Sequence, residues 1–234
     1  MSLSQLRMTR GALTVAALHL AVSLVYLVCD FDTRAKIAEY VVASPSQVFD
    51  HGRVWTLATS TFFEPRFISL LINLFMLWAF IPTMERFWGT ARFYRFFAIT
   101  SIVGTLSGLL VGLATGHDMP IFGLSPFVLA AIVAFGIIYA RQPVQFFGVL
   151  PLTGRQLMLG FLAVQALVTI FGKQWEMGAA MAGACLAAYV ITSKRWSPGL
   201  AWKKWRLARM RRRLSVIEGG VKPARKRDGE RWLN

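Results

Sequence analysis

Residues 121–131 read I-F-G-L-S-P-F-V-L-A-A, a run in which Ser125 is the one polar side chain. The run continues apolar to residue 140, which is long enough to cross a bilayer, where about 20 residues are needed. A serine in such a helix is either a small packing residue or a nucleophile, and a nucleophile needs a neighbouring base. The rest of the sequence decides between these two interpretations.

The composition predicts a membrane protein built from helices. Hydrophobic residues make up 56% of the 234-residue chain and charged residues only 16%, whereas soluble domains carry about 25% charged residues. We therefore predict an all-α polytopic bundle over residues 1–193. Six apolar runs are candidate transmembrane helices: 11–29, 67–84, 93–115, 121–140, 156–172 and 175–193.

The formal charge of +15 is concentrated near the C-terminus and predicts the orientation. With both termini cytoplasmic, 21 of the 26 Lys and Arg residues lie inside, as the positive-inside rule requires. Residues 194–234 hold fourteen of them and are predicted to form a basic cytoplasmic juxtamembrane tail that binds anionic lipids of the bilayer. Nucleic-acid binding is the alternative for this tail. The short N-terminus and compact size favour a bacterial inner (plasma) membrane.

Two further features concern the outer loop and the helix contacts. Residues 30–66 mix charges with aromatic side chains, which predicts an outer interfacial loop lying on the membrane.

Small residues recur at four-residue spacing in the third span, at Gly104, Gly108 and Gly112. Such a stripe lets two helix backbones approach closely, so we predict a packing face inside the bundle, with an oligomer contact as the alternative.

Five short motifs, in chain order, resemble the core of the rhomboid family. They are W-T-L at 55–57, S-L-L-I-N-L-F-M-L-W at 69–78, M-E-R-F-W-G at 84–89, G-L-S-P at 123–126 and A-A-M-A-G at 179–183. The residues that match the family motifs are Trp55, Asn73, Glu85, Gly89, Gly123, Ser125 and Gly183. Active rhomboids are intramembrane serine proteases with a Ser–His dyad. The resemblance therefore implies a six-helix rhomboid-like fold, with Ser125 at the nucleophile position and Asn73 at the oxyanion-stabilising position.

The departures from the family motifs argue against catalysis. Ala180 stands where the resemblance places the catalytic His, and Ser69 where it places the His of the second helix. Thr56 replaces the Arg of the Trp-Arg motif, and Pro126 replaces the second Gly of the serine motif. A serine without a base is a weak nucleophile. The expected function is that of the inactive rhomboids and Derlins, namely binding transmembrane segments of other membrane proteins, with no cofactor and no metal.

The alternative is an active intramembrane serine protease with a non-standard base. His117 is the best candidate for that base, because it precedes Ser125 by eight residues and lies beside Asp118. Structural roles are expected for Asn73, through a hydrogen bond, and for Glu85, through backbone capping or pairing with an arginine. A transporter is disfavoured because the spans contain few ionisable residues.

Overall fold

Long apolar helices form most of the structure, a computed structural model that describes residues 8–146 and 150–193 together with Arg206 and Arg209. The elements, in chain order, are α1 Arg10–Val28, α2 Phe31–Val41, a π-helical turn Ser46–Asp50, α3 Thr56–Thr59, a 3-10 turn Ser60–Phe62, α4 Phe67–Trp88, α5 Thr90–Thr115, α6 Ser125–Ile138, β1 Pro143–Phe146, β2 Leu150–Thr153, α7 Gly154–Gly172 and α8 Trp175–Thr192. The prediction for the tail, 194–234, falls outside the described residues apart from Arg206 and Arg209.

The bundle has two ends that the chain visits alternately. One end, here the loop side, carries the segment between α1 and α4, where Ala43 pairs with Ile121 in an isolated bridge. The opposite end, here the hairpin side, carries the α4–α5 corner and the antiparallel strands β1 and β2. At the corner Gly89 has a φ of +79°, a conformation that glycine adopts without strain. Gly89 is therefore the one residue between the end of α4 and the start of α5.

Glycines allow α5 and α8 to pack with their backbones almost in contact. A methyl group at Gly104 would lie 3.0 Å from the carbonyl oxygen of Ala180, and one at Gly183 would lie 2.1 Å from Ser107 Oγ. A methyl group at Gly108 would meet the carbonyl oxygen of Glu176 at 2.6 Å. The small-residue stripe is therefore an intramolecular packing face, which confirms the first of the two alternatives.

The helix that begins at Ser125 is shorter than its apolar run. α6 has 14 residues and rises about 21 Å, less than the hydrocarbon core of about 30 Å. Residues 121–124 do not join the helix, because Ile121 pairs with Ala43 and Gly123 turns the chain with a φ of +92°. Among the described residues, five helices are long and apolar enough to cross a membrane, α1, α4, α5, α7 and α8. The predicted count of six spans is not confirmed, while an all-helical polytopic architecture is.

α6 forms the centre of the core, and α7 lies at its edge. Nearly every residue of α6 is buried, whereas Gly154 and Leu157 are the buried residues of α7. α7 begins with a capping box, in which Thr153 Oγ1 accepts from the Gln156 amide and Gln156 Oε1 accepts from the Thr153 amide, an arrangement that stabilises a helix start. The eight strand residues before α7 are the one departure from an all-α fold in the described chain.

The segment between α1 and α4 folds as short helices. No residue of α2 is buried, and several large apolar side chains of the segment are exposed: Phe31, Tyr40, Phe49, Val54 and Trp55. Such a surface is typical of segments in the bilayer interface, and the location of the segment on the membrane stays a prediction.

Candidate functional site

Ser125 is the first residue of α6 and lies where α4 and the loop segment meet it. Its position is set by Gly123, whose amide donates to the carbonyl oxygen of Ser60 at 2.9 Å. Pro126 follows Ser125 in the first turn of α6. A proline is tolerated there because the backbone N–H that it lacks would have no intrahelical acceptor. Ser125 Oγ donates to Asn73 Oδ1 at 3.3 Å, so the nucleophile position and the oxyanion position of the resemblance are in direct contact.

Asn73 passes the hydrogen-bond chain on to a buried carboxylate. Asn73 Nδ2 donates to Glu64 Oε2 at 3.3 Å, and Asn73 and Glu64 are both buried. One of the two hydrogens of the Asn73 amide group is therefore directed at Glu64. The serine proton is directed at an amide oxygen, which is not a base of useful strength.

Glu64 is the charged group of the site and is poorly compensated. Its Oε1 atom is buried without a hydrogen bond from the described residues, and the Nε atom of the exposed Arg66 lies 3.9 Å away. Burial raises the pKa of the Glu64 carboxyl, and the Arg66 guanidinium offsets only part of this effect. The site is also tight, because a methyl group at Gly123 would lie 2.8 Å from Glu64 Oε2.

α1 fixes the backbone that leads into Glu64. Ser23 Oγ donates to the Phe62 carbonyl oxygen at 3.2 Å and accepts from the Glu64 amide at 3.1 Å. His19 Nδ1 lies 3.1 Å from the same carbonyl oxygen, while His19 Nε2 is buried without a hydrogen-bond partner among the described residues. A layer of polar residues thus crosses the apolar core from α1 to α6. We call it the Glu64 layer, and it consists of His19, Ser23, Glu64, Asn73 and Ser125.

The position of the missing base is filled by packing. Ala180 is fully buried, and a methyl group at Gly108 would lie 3.0 Å from its Cβ atom. Gly104 lies between Ala180 and the start of α6, since a methyl group there would approach the Ala180 carbonyl oxygen at 3.0 Å and Pro126 Cβ at 3.5 Å. Ala180 is therefore at the level of the start of α6, and it has no group that can accept a proton.

His117 contacts a different residue from the one that the protease alternative requires. Its Nδ1 atom lies 3.1 Å from Glu176 Oε1, and its side chain is 64% exposed. The neighbouring Asp118 accepts from the amide of Ser46 at 3.0 Å. Both residues tie the α5–α6 loop to its surroundings, and the hydrogen bond of Ser125 Oγ among the described residues is the one that it donates to Asn73 Oδ1.

An arginine braces the loop segment, but at a different place from the family pattern. Thr56, at the expected position, is buried and donates its hydroxyl to the Arg53 carbonyl oxygen at 2.7 Å. Arg53 itself donates to Glu39 Oε1 at 2.9 Å and lies over the Tyr40 ring at 4.4 Å from its centroid. Trp55 Nε1 donates to the Tyr40 carbonyl oxygen at 3.1 Å, so Arg53 and Trp55 together hold α2 against α3.

Glu85 closes the hairpin side. Its Oε1 atom accepts from the Gly11 amide at 2.9 Å and from Thr90 Oγ1 at 2.8 Å. Its Oε2 atom accepts from the Ala12 amide at 2.9 Å and from Thr9 Oγ1. The carboxylate caps the first turn of α1, where backbone N–H groups lack partners, so capping is the alternative that the geometry favours.

Sequence reasoning missed Glu64 and Arg53. Glu64 is an acidic residue in the apolar stretch T-F-F-E-P at 61–65, and a charge in such a stretch is the signal that could have identified it. Arg53 precedes Trp55 by two residues. The family motif has the arginine after the tryptophan, so a search for that motif does not find Arg53.

Most of these contacts lie within the part of the chain that matches a known family. Residues 13–190 match the family described as eukaryotic integral membrane protein (DUF1751). The chain belongs to this family. The match extends from α1 to α8 and includes the whole Glu64 layer. Among curated proteins, none matches the chain.

Membership in the DUF1751 family corrects the predicted location. The protein is an integral membrane protein, but the bacterial inner (plasma) membrane was a wrong prediction, because the family is described as eukaryotic. The prediction rested on chain size and on the short N-terminus, and neither of these carries physical information about the organism or its membranes.

Proposed function

We propose that this DUF1751 member is a rhomboid-like membrane protein without protease activity that binds transmembrane segments of other membrane proteins. The observation that carries the proposal is the hydrogen bond from Ser125 Oγ to Asn73 Oδ1. A serine nucleophile has to give its proton to a base in the transition state, and an amide oxygen does not take it. The fully buried Ala180 at the position of the base supports the same conclusion.

The packing of α4 and α7 supports lateral entry of a transmembrane segment. Contact between these helices is sparse, and the rings of Phe80 and Phe161 meet with centroids 6.1 Å apart. Phe80 is seven residues further along α4 than Asn73, which puts that contact about 10 Å closer to the hairpin side. The helices are therefore joined in the hairpin-side half of the bundle, and the level of Asn73 and Ser125 lies beyond the joint.

A client helix entering there would meet an apolar surface with a small polar patch. Membrane helices associate through close packing and occasional interhelical hydrogen bonds, since lipid offers no hydrophobic drive between them. Asn73 and Ser125 can supply such a bond to a polar residue in a client segment. The proposed clients are therefore membrane helices that carry a polar or helix-breaking residue in the half nearest the loop side.

Site-directed photo-cross-linking tests the binding proposal. Ser69 lies eleven residues before Phe80, on nearly the same face of α4, whereas Leu71 lies on nearly the opposite face. With a photoreactive amino acid at 69 and a reconstituted single-span peptide as probe, we expect cross-links, and far fewer with the reactive group at 71. The same yield at both positions would contradict lateral binding between α4 and α7.

Proteolysis is read separately in the same samples. Intact peptide, both with the wild type and with Ser125→Ala, is the expected result. Cleavage of the peptide that disappears in Ser125→Ala would overturn the inactive assignment, whatever the cross-links show.

A further inference from the structure

A groove between α7 and α8 lies outside the site described above. It has a volume of about 370 Å³ and reaches the surface of the protein. α6 contributes Leu129 to the groove, α7 contributes residues from Leu162 to Ile170, and α8 contributes residues from Trp175 to Cys185. Its lining is almost entirely apolar, with Gln165 and Thr169 as polar exceptions.

The groove persists because α7 and α8 touch at one level and diverge from it. A methyl group at Gly178 would lie 2.3 Å from Thr169 Cγ2, so the helices are in close contact there. Elsewhere few residues of α7 and α8 meet. An unfilled apolar groove loses dispersion contacts along its walls, so the groove favours an apolar occupant from the membrane.

We propose that the groove binds one acyl chain of a glycerophospholipid from the leaflet on the loop side. The lining of α8 extends over ten residue steps, from Trp175 to Cys185, which is about 15 Å. That length is half of the hydrocarbon core of about 30 Å, the depth that one chain of one leaflet covers.

The volume of the groove suits an acyl chain and is too small for a helix. A helix about 10 Å in diameter and 15 Å long occupies roughly 1,200 Å³, three times the volume of the groove. A methylene group is about as large as a water molecule, so a row of chain methylene groups fits within the groove. Single side chains of a partner helix would fill only part of it.

The loop-side end of the groove suits a phosphate headgroup. Lys173 lies in the turn between α7 and α8, with its side chain exposed, two residues from the groove residue Trp175. Tryptophan is enriched at the level of lipid headgroups, and a lysine ammonium there attracts the phosphate. Apolar length and cationic end thus match the two parts of one lipid.

The experiment uses the full chain in nanodiscs of phosphatidylcholine doped with a phosphatidylcholine that carries a diazirine midway along one acyl chain. After illumination, mass spectrometry maps the labelled peptides. We expect labelling concentrated on residues 162–170 and 178–185. Labelling spread evenly over all exposed helix faces would overturn the proposal.

A matched pair of variants on α7 tests occupancy. Ala166 lines the groove, whereas Ala163 is exposed one turn away and does not line it. Ala166→Phe fills the groove, so its labelling is lost, while Ala163→Phe labels as the wild type does. Ala182→Phe fills the groove from α8 and repeats the test if Ala166→Phe unfolds. Persistent groove labelling in both filled variants would contradict the proposal, as would cross-linking of a photoreactive residue at 182 to protein instead of lipid.

Discussion

Glu64 and Glu85, two of the buried glutamates, lie at opposite ends of the bundle and are held in opposite ways. Glu85 on the hairpin side accepts hydrogen bonds from two backbone amides and two threonine hydroxyls. Glu64 on the loop side accepts one amide hydrogen at 3.3 Å, and its second oxygen is buried without a hydrogen bond from the described residues. The compensated carboxylate stabilises a corner of the fold, whereas the uncompensated one lies in the layer that contains Ser125.

The difference indicates where stability and where function are concentrated. A buried charge with a full set of donors contributes to the fold, and one without them costs free energy. The Glu64 layer thus keeps buried polar groups that are only partly paired. Each variant below changes one side of this comparison, and they are ordered by the size of the expected effect.

Glu85→Gln should be the most destabilising change. The glutamine amide group presents N–H hydrogens toward donors that need an acceptor, so about two charge-assisted hydrogen bonds are lost, a loss of about 3 kcal/mol in the free energy of unfolding. Thermal unfolding in detergent micelles measures this effect. A loss no greater than that of Glu64→Gln would refute the distinction between the two glutamates.

Gly123→Ala should come second. Its φ of +92° is strained for alanine, and the new methyl group would lie 2.8 Å from Glu64 Oε2, so we expect a loss of about 2 kcal/mol. Gly160→Ala is the matched control, because a methyl group there meets nothing within 4 Å. The control should stabilise α7 by up to about 1 kcal/mol, and equal losses in both variants would contradict the tight packing of the site.

Glu64→Gln should have the smallest effect and the clearest dependence on pH. Burial raises the pKa of Glu64 in the folded state, so the wild type loses stability as the pH rises through that pKa. The glutamine variant does not titrate. It should therefore unfold at a higher temperature than the wild type at pH 8, and the difference should vanish toward pH 4. A wild type whose stability rises over this range relative to the variant would show that Glu64 is stabilised as an anion.

The helices were predictable from the sequence, whereas the site was predictable only in part. α1, α4, α5, α7 and α8 begin and end within a few residues of the apolar runs, because burial in lipid demands such runs. The predicted span at 121–140 was longer than α6. Hydropathy alone does not reveal the bridge from Ala43 to Ile121, which holds the first residues of that run in an extended conformation. The β1–β2 hairpin was not predicted at all.

The motifs predicted a structural hydrogen bond for Asn73, but neither its contact with Ser125 nor the role of Glu64. Ser23 and Glu64 are 41 residues apart in the chain and meet through a single hydrogen bond. No local pattern encodes such a contact, because it depends on how α1 packs against the loop segment. The same holds for Arg53, whose partners Glu39 and Tyr40 lie on a different helix.

The most direct test of the central claim is covalent labelling of the serine. A fluorophosphonate probe reacts with a serine that a base activates, and the reconstituted wild type and Ser125→Ala can be compared by in-gel fluorescence. Because Ser125 has no base to activate it, we expect no labelling above background in either protein from pH 6 to pH 9. Labelling of the wild type that disappears in Ser125→Ala would contradict it and establish an active intramembrane hydrolase.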